Sequence, residues 1–398
     1  MAKFDIDGVQ NVEVSIKLPC EKSPERQLEI MEEYTRTHRA MAGASREERE
    51  VACLEVLYPE MFRSIEPQDR VAGRIDVLPI GFGCVTSVGG VGHYCVFNKL
   101  KKLRESFSSD ADRARIDALY DYWRENDLKT KYCNEALIDD VIGRFIDCET
   151  PLIATARLSG MMLNYPLLLE NGIGGLRRKL EAKLAENPEN SFHRAGLRCL
   201  DIFVNCAEHE RQEALRLAET ASPERRRQLL RMAEGLEAVK DRPPENFHDA
   251  MQLFWLYALL AGVINYGRLD DYLGPYLARD LETGVLSEDE AYEYIKSLWT
   301  MIENRRTTVN GRIIVGGYGR KHPKEADVFL RLALRVSKDV RYVEPQFTLR
   351  ITKDMPEDIF DMAMESLGAG ATYPTLYNDD VNVPAVARAM RVDMETAE

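Results

Sequence analysis

The contrast between apolar and polar positions is sharpest between Arg242 and Leu281, where a continuous apolar run precedes a polar cluster. The run extends from Ala250 to Ile264 and contains one clearly polar side chain, that of Gln252. It is shorter than the roughly 20 residues that span a bilayer. Because it is also apolar on nearly every face, it predicts a helix that is buried on all sides in a large protein.

The polar cluster that follows this predicted helix includes Arg268, Asp270 and Asp271. Charged groups at the end of a buried helix must be paired or hydrogen-bonded to be tolerated. Two interpretations stay open at this point. Either Gln252, Arg268, Asp270 and Asp271 form a structural network that fixes the path of the chain, or the charged side chains contact a substrate.

Upstream of Arg242 the pattern is mostly helical. Helices are predicted within residues 24–65, over most of 98–185 and within 190–240. Residues 71–96 are rich in glycine and β-branched side chains, and they predict strand and loop. His93 follows glycines in this segment. It serves either as a ligand or acid–base group, or as a hydrogen-bonding partner of a turn backbone.

Downstream of Leu281, strands and helices alternate. Strands are predicted at 312–317, 345–351 and 375–378, and helices are predicted to begin at Ser287, Pro323, Pro356 and Pro384. In the second strand Phe347, Leu349 and Ile351 share one face, and Gln346, Thr348 and Arg350 share the other. This order predicts parallel strands covered by helices, in one α/β domain with a helix-rich N-terminal part.

Ligands of such folds bind at the carboxyl ends of the parallel strands. By this rule Gly316-Gly317, Arg350 and Asn378-Asp379 lie where a site is expected. Arg157 is a further candidate, because its neighbours are otherwise apolar and its guanidinium needs an anionic partner. That partner is either a protein carboxylate or a substrate carboxylate. Arg157, Arg350 and Asn378 are therefore the candidate substrate-binding residues.

The amino-acid composition limits the kinds of molecule that the protein is expected to bind. The chain has 398 residues, a net charge of −13 and a pI near 5.2, which argues against nucleic acid or an anionic membrane surface. No secretory signal or segment of transmembrane length is visible, so the expected location is cytoplasmic. The eight cysteines form no C-x-x-C and no zinc-site spacing, so no bound metal is expected.

Several motifs, in this order, resemble those of the glycyl radical enzymes, the pyruvate formate-lyase family. They are R-P-P-x-x-F-x-x-A-x-Q-L-F-W (242–255), N-Y-G-R-L-D-D-Y-L-G-P-Y-L-x-x-D-L (265–281), the Gly-Gly at 316–317, P-Q-F-T-L-R (345–350) and Y-P-T-L-Y-N-D-D-V-N-V-P-A (373–385). The resemblance implies a ten-stranded α/β barrel built from two five-stranded halves. It also implies a glycyl radical installed by an S-adenosylmethionine-dependent activating enzyme, with no other bound cofactor. A reactive cysteine then acts on a small substrate.

This chain differs from the family's pattern in two respects. First, the family's reactive cysteine and radical glycine lie beyond the position of Glu398. By this resemblance, residues 1–398 are expected to form a domain that is incomplete at its C-terminus and to contain no catalytic residue. A complementary C-terminal chain or a homodimer is an expected partner. Second, Met161 follows Gly160 where the dehydratase members have a histidine, and Arg157 resembles a carboxylate-binding arginine of pyruvate formate-lyase.

These departures favour radical acyl transfer and C–C cleavage on a small carboxylate substrate. Two alternatives stay open. One is a radical lyase of the dehydratase type, which breaks C–O, C–N or C–S bonds, and the other is a non-catalytic partner or binding subunit. Whether this chain alone is an enzyme is left open.

Overall fold

The computed structural model describes residues 20–85, 90–131, 162–305 and 311–398. The N-terminal elements begin with helices that the sequence caps with serines, since Ser23, Ser45 and Ser109 each accept hydrogen bonds from the first turn of the helix that follows. The elements are α1 (Pro24–Ala40), α2 (Arg46–Leu57), β1 (Ile80–Val85), β2 (Gly90–Cys95), α3 (Phe97–Glu105), α4 (Asp110–Asn126) and α5 (Leu128–Lys131). Strands β1 and β2 form an antiparallel pair.

The N-terminal elements enclose an aromatic cluster centred on the fully buried Trp123. The rings of His38 and His93 lie 4.4 Å apart, centroid to centroid. Nδ1 of His93 and the hydroxyl of Tyr34 are hydrogen-bonded at 2.6 Å, and Nδ1 of His38 is similarly bonded to Tyr122 at 2.7 Å. His93 therefore bonds a tyrosine hydroxyl within a packed core, and not the backbone of a turn.

A layer of four helices follows: α6 (Tyr165–Glu186), α7 (Ser191–Ala218), α8 (Pro223–Val239) and α9 (Phe247–Leu260). Helix α9 is the predicted apolar helix, and 12 of its 14 residues are buried, which confirms that it is enclosed on all sides. Gln252 is fully buried and exchanges hydrogen bonds of 2.8 and 3.0 Å with the backbone of Ala72. Trp255 donates to the carbonyl of Gly73 at 2.8 Å. These contacts attach the 71–74 segment to the central helix.

The remaining elements alternate as the sequence predicted. They are β3 (Asn265–Arg268), α10 (Leu269–Glu282), α11 (Glu288–Asn304), β4 (Arg312–Gly316), α12 (Pro323–Val340), β5 (Gln346–Ile351), α13 (Glu357–Gly368), β6 (Thr375–Asn378), α14 (Asp379–Met390) and α15 (Met394–Ala397). The strands pair in parallel in the order β3-β4-β5-β6. A parallel bridge between Met162 and Asn265 continues the sheet beyond β3. The expected parallel neighbours are thus confirmed.

One strand was missed by the sequence analysis, and one predicted helix start was wrong. Strand β3 was not predicted, since N-Y-G-R is short, polar and contains Gly267 at a φ of 60°. Pro384 does not open a helix but lies within α14. The side chain of Asn378 accepts a hydrogen bond from the backbone N–H of Asp380 at 3.0 Å, so the helix begins several residues before the proline.

The two faces of the parallel sheet differ in burial. Ile313, Val315, Phe347 and Leu349 are at most 1% exposed in the core that the helices cover. Purely parallel sheets are normally covered on both faces. In the described part of this chain, the opposite face borders a polar chamber. No helix in those residues is long and apolar enough to cross a membrane.

Candidate functional site

The chamber has a volume of about 600 Å³ and lies on the face of the sheet opposite the buried core, where residues of α14 and α15 also line it. Because side chains alternate along a strand and the register is parallel, its lining residues form three transverse rows. The first row consists of Asn265, Arg312 and Gln346. The second consists of Arg268, Ile314, Thr348 and Thr375, and the third of Arg350 and Tyr377, which are in register with Gly316.

Arg350 is engaged by protein groups. Its Nε and Nη2 donate to the two carboxylate oxygens of Asp379, at 2.8 and 2.7 Å, and its Nη1 donates to the backbone carbonyl of Glu398 at 3.0 Å. Asp379 is 2% exposed and also accepts from the backbone N–H of Tyr318 at 3.0 Å. A bidentate pair of this kind fixes the plane of the guanidinium. The charge of Arg350 is therefore balanced within the chain.

Two glycines allow this pair to form. Gly316 and Gly317 adopt φ values of 72° and 76°, which L residues rarely adopt. A Cβ on Gly317 would lie 2.3 Å from Oδ2 of Asp379 and 2.7 Å from Cβ of Arg350. The Gly-Gly sequence after β4 is thus required both by backbone conformation and by the close approach of the ion pair.

Arg268 extends from β3 across the end of β4. Its Nη2 donates to the carbonyls of Gly316 and Tyr318 at 2.6 and 3.0 Å. Its Nε is buried and has no acceptor among the described residues. Burial lowers the pKa of this guanidinium, while the charge of Asp270 opposes that shift.

Asp270 and Asp271 bind the loop that follows β4. Asp270 is fully buried, accepts from the backbone N–H of Gly316 at 2.8 Å and lies 3.7 Å from Nη1 of Arg320. Burial raises the pKa of Asp270 to about 6, although the Gly316 hydrogen bond acts in the opposite direction. Asp271 accepts from the backbone N–H groups of Lys321 and His322 at 2.8 and 3.3 Å. These contacts attach the loop after β4 to the first turn of α10.

The structure therefore places only some of the predicted site residues at the chamber. Arg350 lines the chamber, whereas the side chain of Asn378 caps α14, and Arg157 lies outside the described residues. Gln252 lies in the helical core, away from the chamber lining, and bonds the backbone of Ala72. A substrate contact for Arg157, Arg350 or Asn378 stays a prediction.

Sequence reasoning did not single out Arg312. This residue opens β4 and is directly opposite Asn265 and Gln346 in the register. Its guanidinium has no hydrogen bond or ion pair with the described residues, unlike those of Arg268 and Arg350. The i, i+2 alternation with Ile314 was the available signal, but it shows only that both side chains share a face.

A parallel sheet that packs against the helical core on one face and borders a chamber on the other has the construction of the wall of an α/β barrel. A family model described as pyruvate formate lyase-like matches residues 7–398. The chain therefore belongs to the pyruvate formate lyase-like family, the glycyl radical enzymes.

Individual relatives agree with this assignment. Probable dehydratase YbiW of Escherichia coli (strain K12) is 25% identical over 288 residues, which cover 62% of this chain and 36% of that protein. Isethionate sulfite-lyase of Bilophila wadsworthia (strain 3_1_6) is 25% identical over 277 residues, covering 62% of this chain and 33% of that protein. These matches span about a third of each relative.

The crystal structure of a glycyl radical enzyme from Archaeoglobus fulgidus has the same fold, with a TM-score of 0.75 at 20% identity. The similarity covers 94% of this chain and 54% of that structure. The helix-rich N-terminal part and the parallel sheet thus correspond to about half of a barrel enzyme of the pyruvate formate-lyase type.

Proposed function

We propose that this chain provides the helical N-terminal part and half of the barrel wall of a glycyl radical lyase that removes a group from a small substrate. The chamber on the inner face of the sheet is the observation that carries the proposal, because it combines polar side chains with a volume suited to a small molecule. The names of the relatives favour elimination over acyl transfer, since one is named a probable dehydratase and another an isethionate sulfite-lyase.

The residues of this chain would act by keeping the polar side chains that line the chamber in fixed positions. The pair between Arg350 and Asp379 and the contacts of Asp270 and Arg268 at Gly316 fix the strand ends before a substrate arrives. Preorganised groups of this kind lower the cost of orienting a substrate. Within this proposal Arg157, Arg350 and Asn378 keep the substrate-binding roles suggested by their positions and motifs.

The family chemistry is supplied by a glycyl radical, which an activating enzyme installs. We propose that the radical glycine and the reactive cysteine belong to polypeptide that completes the barrel, either continuous with this chain or separate. The exposed apolar side chains of α14 and α15 support this arrangement. They are Val381, Val386, Met390 and Met394, which are 62%, 43%, 69% and 48% exposed.

The test is anaerobic reconstitution of the complete enzyme with its activating enzyme, followed by product analysis. Small hydroxylated or sulfonated substrates should yield water-elimination products or sulfite, and pyruvate with coenzyme A should not yield formate. Formate release without elimination would support the acyl-transfer alternative and contradict the proposal. Failure to form a glycyl radical, measured by electron paramagnetic resonance, would contradict both.

A further inference from the structure

Three arginines line the chamber, and their guanidinium groups differ in what they contact. Arg350 is paired with Asp379, and Arg268 donates to two backbone carbonyls. Arg312 has no hydrogen-bond or ion-pair partner among the described residues, although it lines the same chamber. Arginine stays protonated at all ordinary pH values, so this group brings an uncompensated positive charge to the inner wall.

The neighbours of Arg312 suit the recognition of an acid group. Gln346 is its direct partner on β5 and Asn265 its partner on β3, and all three residues line the chamber. The side-chain oxygen of Asn265 accepts from the backbone N–H of Gly267 at 3.1 Å. The amide of Gln346 has a contact of 3.5 Å with Glu344, which is at the outer limit of a hydrogen bond and leaves its donors available for a shorter one. A planar guanidinium beside an amide donor matches the two oxygens of a carboxylate or sulfonate.

A second observation also indicates an anion. The buried Nε of Arg268 has no acceptor among the described residues, and Arg268 lies in the next row, opposite Ile314. Arg312 and Ile314 are two positions apart along β4, a distance of about 6.6 Å. A buried donor without an acceptor is unfavourable unless another group satisfies it. Arg268 and Arg312 thus both line the chamber, and each has a guanidinium donor without an acceptor among the described residues.

We infer that Arg312 binds the acid group of the substrate, a carboxylate or a sulfonate, with the amide of Gln346 as a second donor. This inference rests on the proposed function and names the substrate class of the same chamber. The acid group lies at the first row, and the rest of the substrate extends toward the third row, near Arg350 and Tyr377. Neutral diols lack the group that Arg312 recognises and are poor ligands.

Fluorine NMR of the 398-residue chain tests the inference without radical chemistry. Trifluoroacetate and trifluoromethanesulfonate serve as the carboxylate and sulfonate probes, and trifluoroethanol serves as the neutral probe. We expect at least one anion to bind and the alcohol not to bind. Arg312→Gln should weaken anion binding by about tenfold or more, Arg312→Lys should restore part of it, and Gln346→Met should cause a smaller loss.

The matched control is Arg331→Gln, which removes a guanidinium that pairs with Asp358 on the outer helices. It should leave the affinity for both anions unchanged. If Arg312→Gln does not fold, the wild-type chain is labelled with phenylglyoxal and mapped by mass spectrometry. Arg312 should react, and the bound anion should protect it.

Two results would overturn the inference: no anion binding to the wild-type chain, or equal anion affinity in wild type and Arg312→Gln. In the labelling experiment, the corresponding result is no protection of Arg312. A failure of the proposed lyase reaction is separate, because it appears as formate release or as a missing radical in the reconstituted enzyme. Arg312-dependent anion binding together with formate release would uphold the anion site and reject only the lyase.

Discussion

The N-terminal aromatic cluster and the network at the strand ends both bury titratable side chains, but acid acts on them in opposite directions. Burial lowers the pKa of His38 to about 4 and that of His93 to about 3, and the positive charges of Arg49 and Lys131 add to this effect. At the strand ends, burial raises the pKa of Asp270 to about 6. Burial favours the neutral form in both regions. The neutral form is the deprotonated one for histidine and the protonated one for aspartate.

The largest expected effect concerns the two histidines. Their folded pKa values lie below the unfolded value of about 6.5, so the unfolded chain binds more protons as the pH falls. The stability they contribute is present at neutral pH and is lost as the pH falls from about 6.5 toward 4. Between pH 7 and pH 5 the free energy of unfolding should fall by roughly 4 kcal/mol from this pair. Urea unfolding at several pH values measures the change.

His93→Phe should remove about half of this pH dependence, because one of the two buried imidazoles is gone. His322→Gln is the control, since His322 is exposed on the loop before α12. Proton NMR titration of the wild-type imidazoles provides an independent measurement. If His38 and His93 titrate near pH 6.5, or if both variants change the pH dependence equally, the proposed cause is wrong.

The network at the strand ends also differs from the aromatic cluster because its stability depends on a close approach between the backbone of Gly317 and the side chains of Arg350 and Asp379. Gly317→Ala should lower the free energy of unfolding by about 2 kcal/mol, because alanine is strained at a positive φ and its Cβ would contact the ion pair of Arg350 and Asp379. Gly368→Ala is the matched control, since a Cβ there has no atom within 4 Å. Equal stability of the two variants, measured by urea unfolding, would contradict this explanation.

Much of the fold could be predicted because hydrophobic periodicity is a local signal. The buried helix α9 and the strands β4 and β5 each have a clear apolar pattern, and the order of elements indicates parallel pairing. Strand β3 lacked that signal, since only Tyr266 and Gly267 of its four residues are buried. The capping of α14 by Asn378 outweighed the proline that suggested a later start.

The site was less predictable because the role of each side chain depends on which residues are neighbours across the sheet. The alternation along β5 placed Arg350 on the correct face, but the sequence did not show that Asp379, in the next helix, would neutralise it. Arg312 is a single arginine at the start of a strand. Arg312 became a candidate because it is in register with Asn265 and Gln346 and because its guanidinium has no partner among the described residues. Both properties depend on the three-dimensional structure and cannot be read from the local sequence.

The smallest expected effect tests the opposite pH sign at the strand ends. The folded pKa of Asp270 is raised above the unfolded value of about 3.9, so the folded chain binds more protons between these values. The stability from this group is present at low pH and is lost as the pH rises through about 6. Between pH 7 and pH 5 it should add about 1 kcal/mol to the free energy of unfolding, partly masking the loss from the histidines.

Asp270→Asn should remove that gain, so the variant should lose more stability than wild type between pH 7 and pH 5, by about 1 kcal/mol. Asparagine can still accept the hydrogen bond from Gly316, which limits the change in structure. Asp271→Asn is the comparison, because it alters the adjacent carboxylate, which binds the same loop at Lys321 and His322. If Asp270→Asn instead loses less stability than wild type on acidification, Asp270 is ionised in the fold because its contacts outweigh its burial. The two regions would then respond to acid in the same direction.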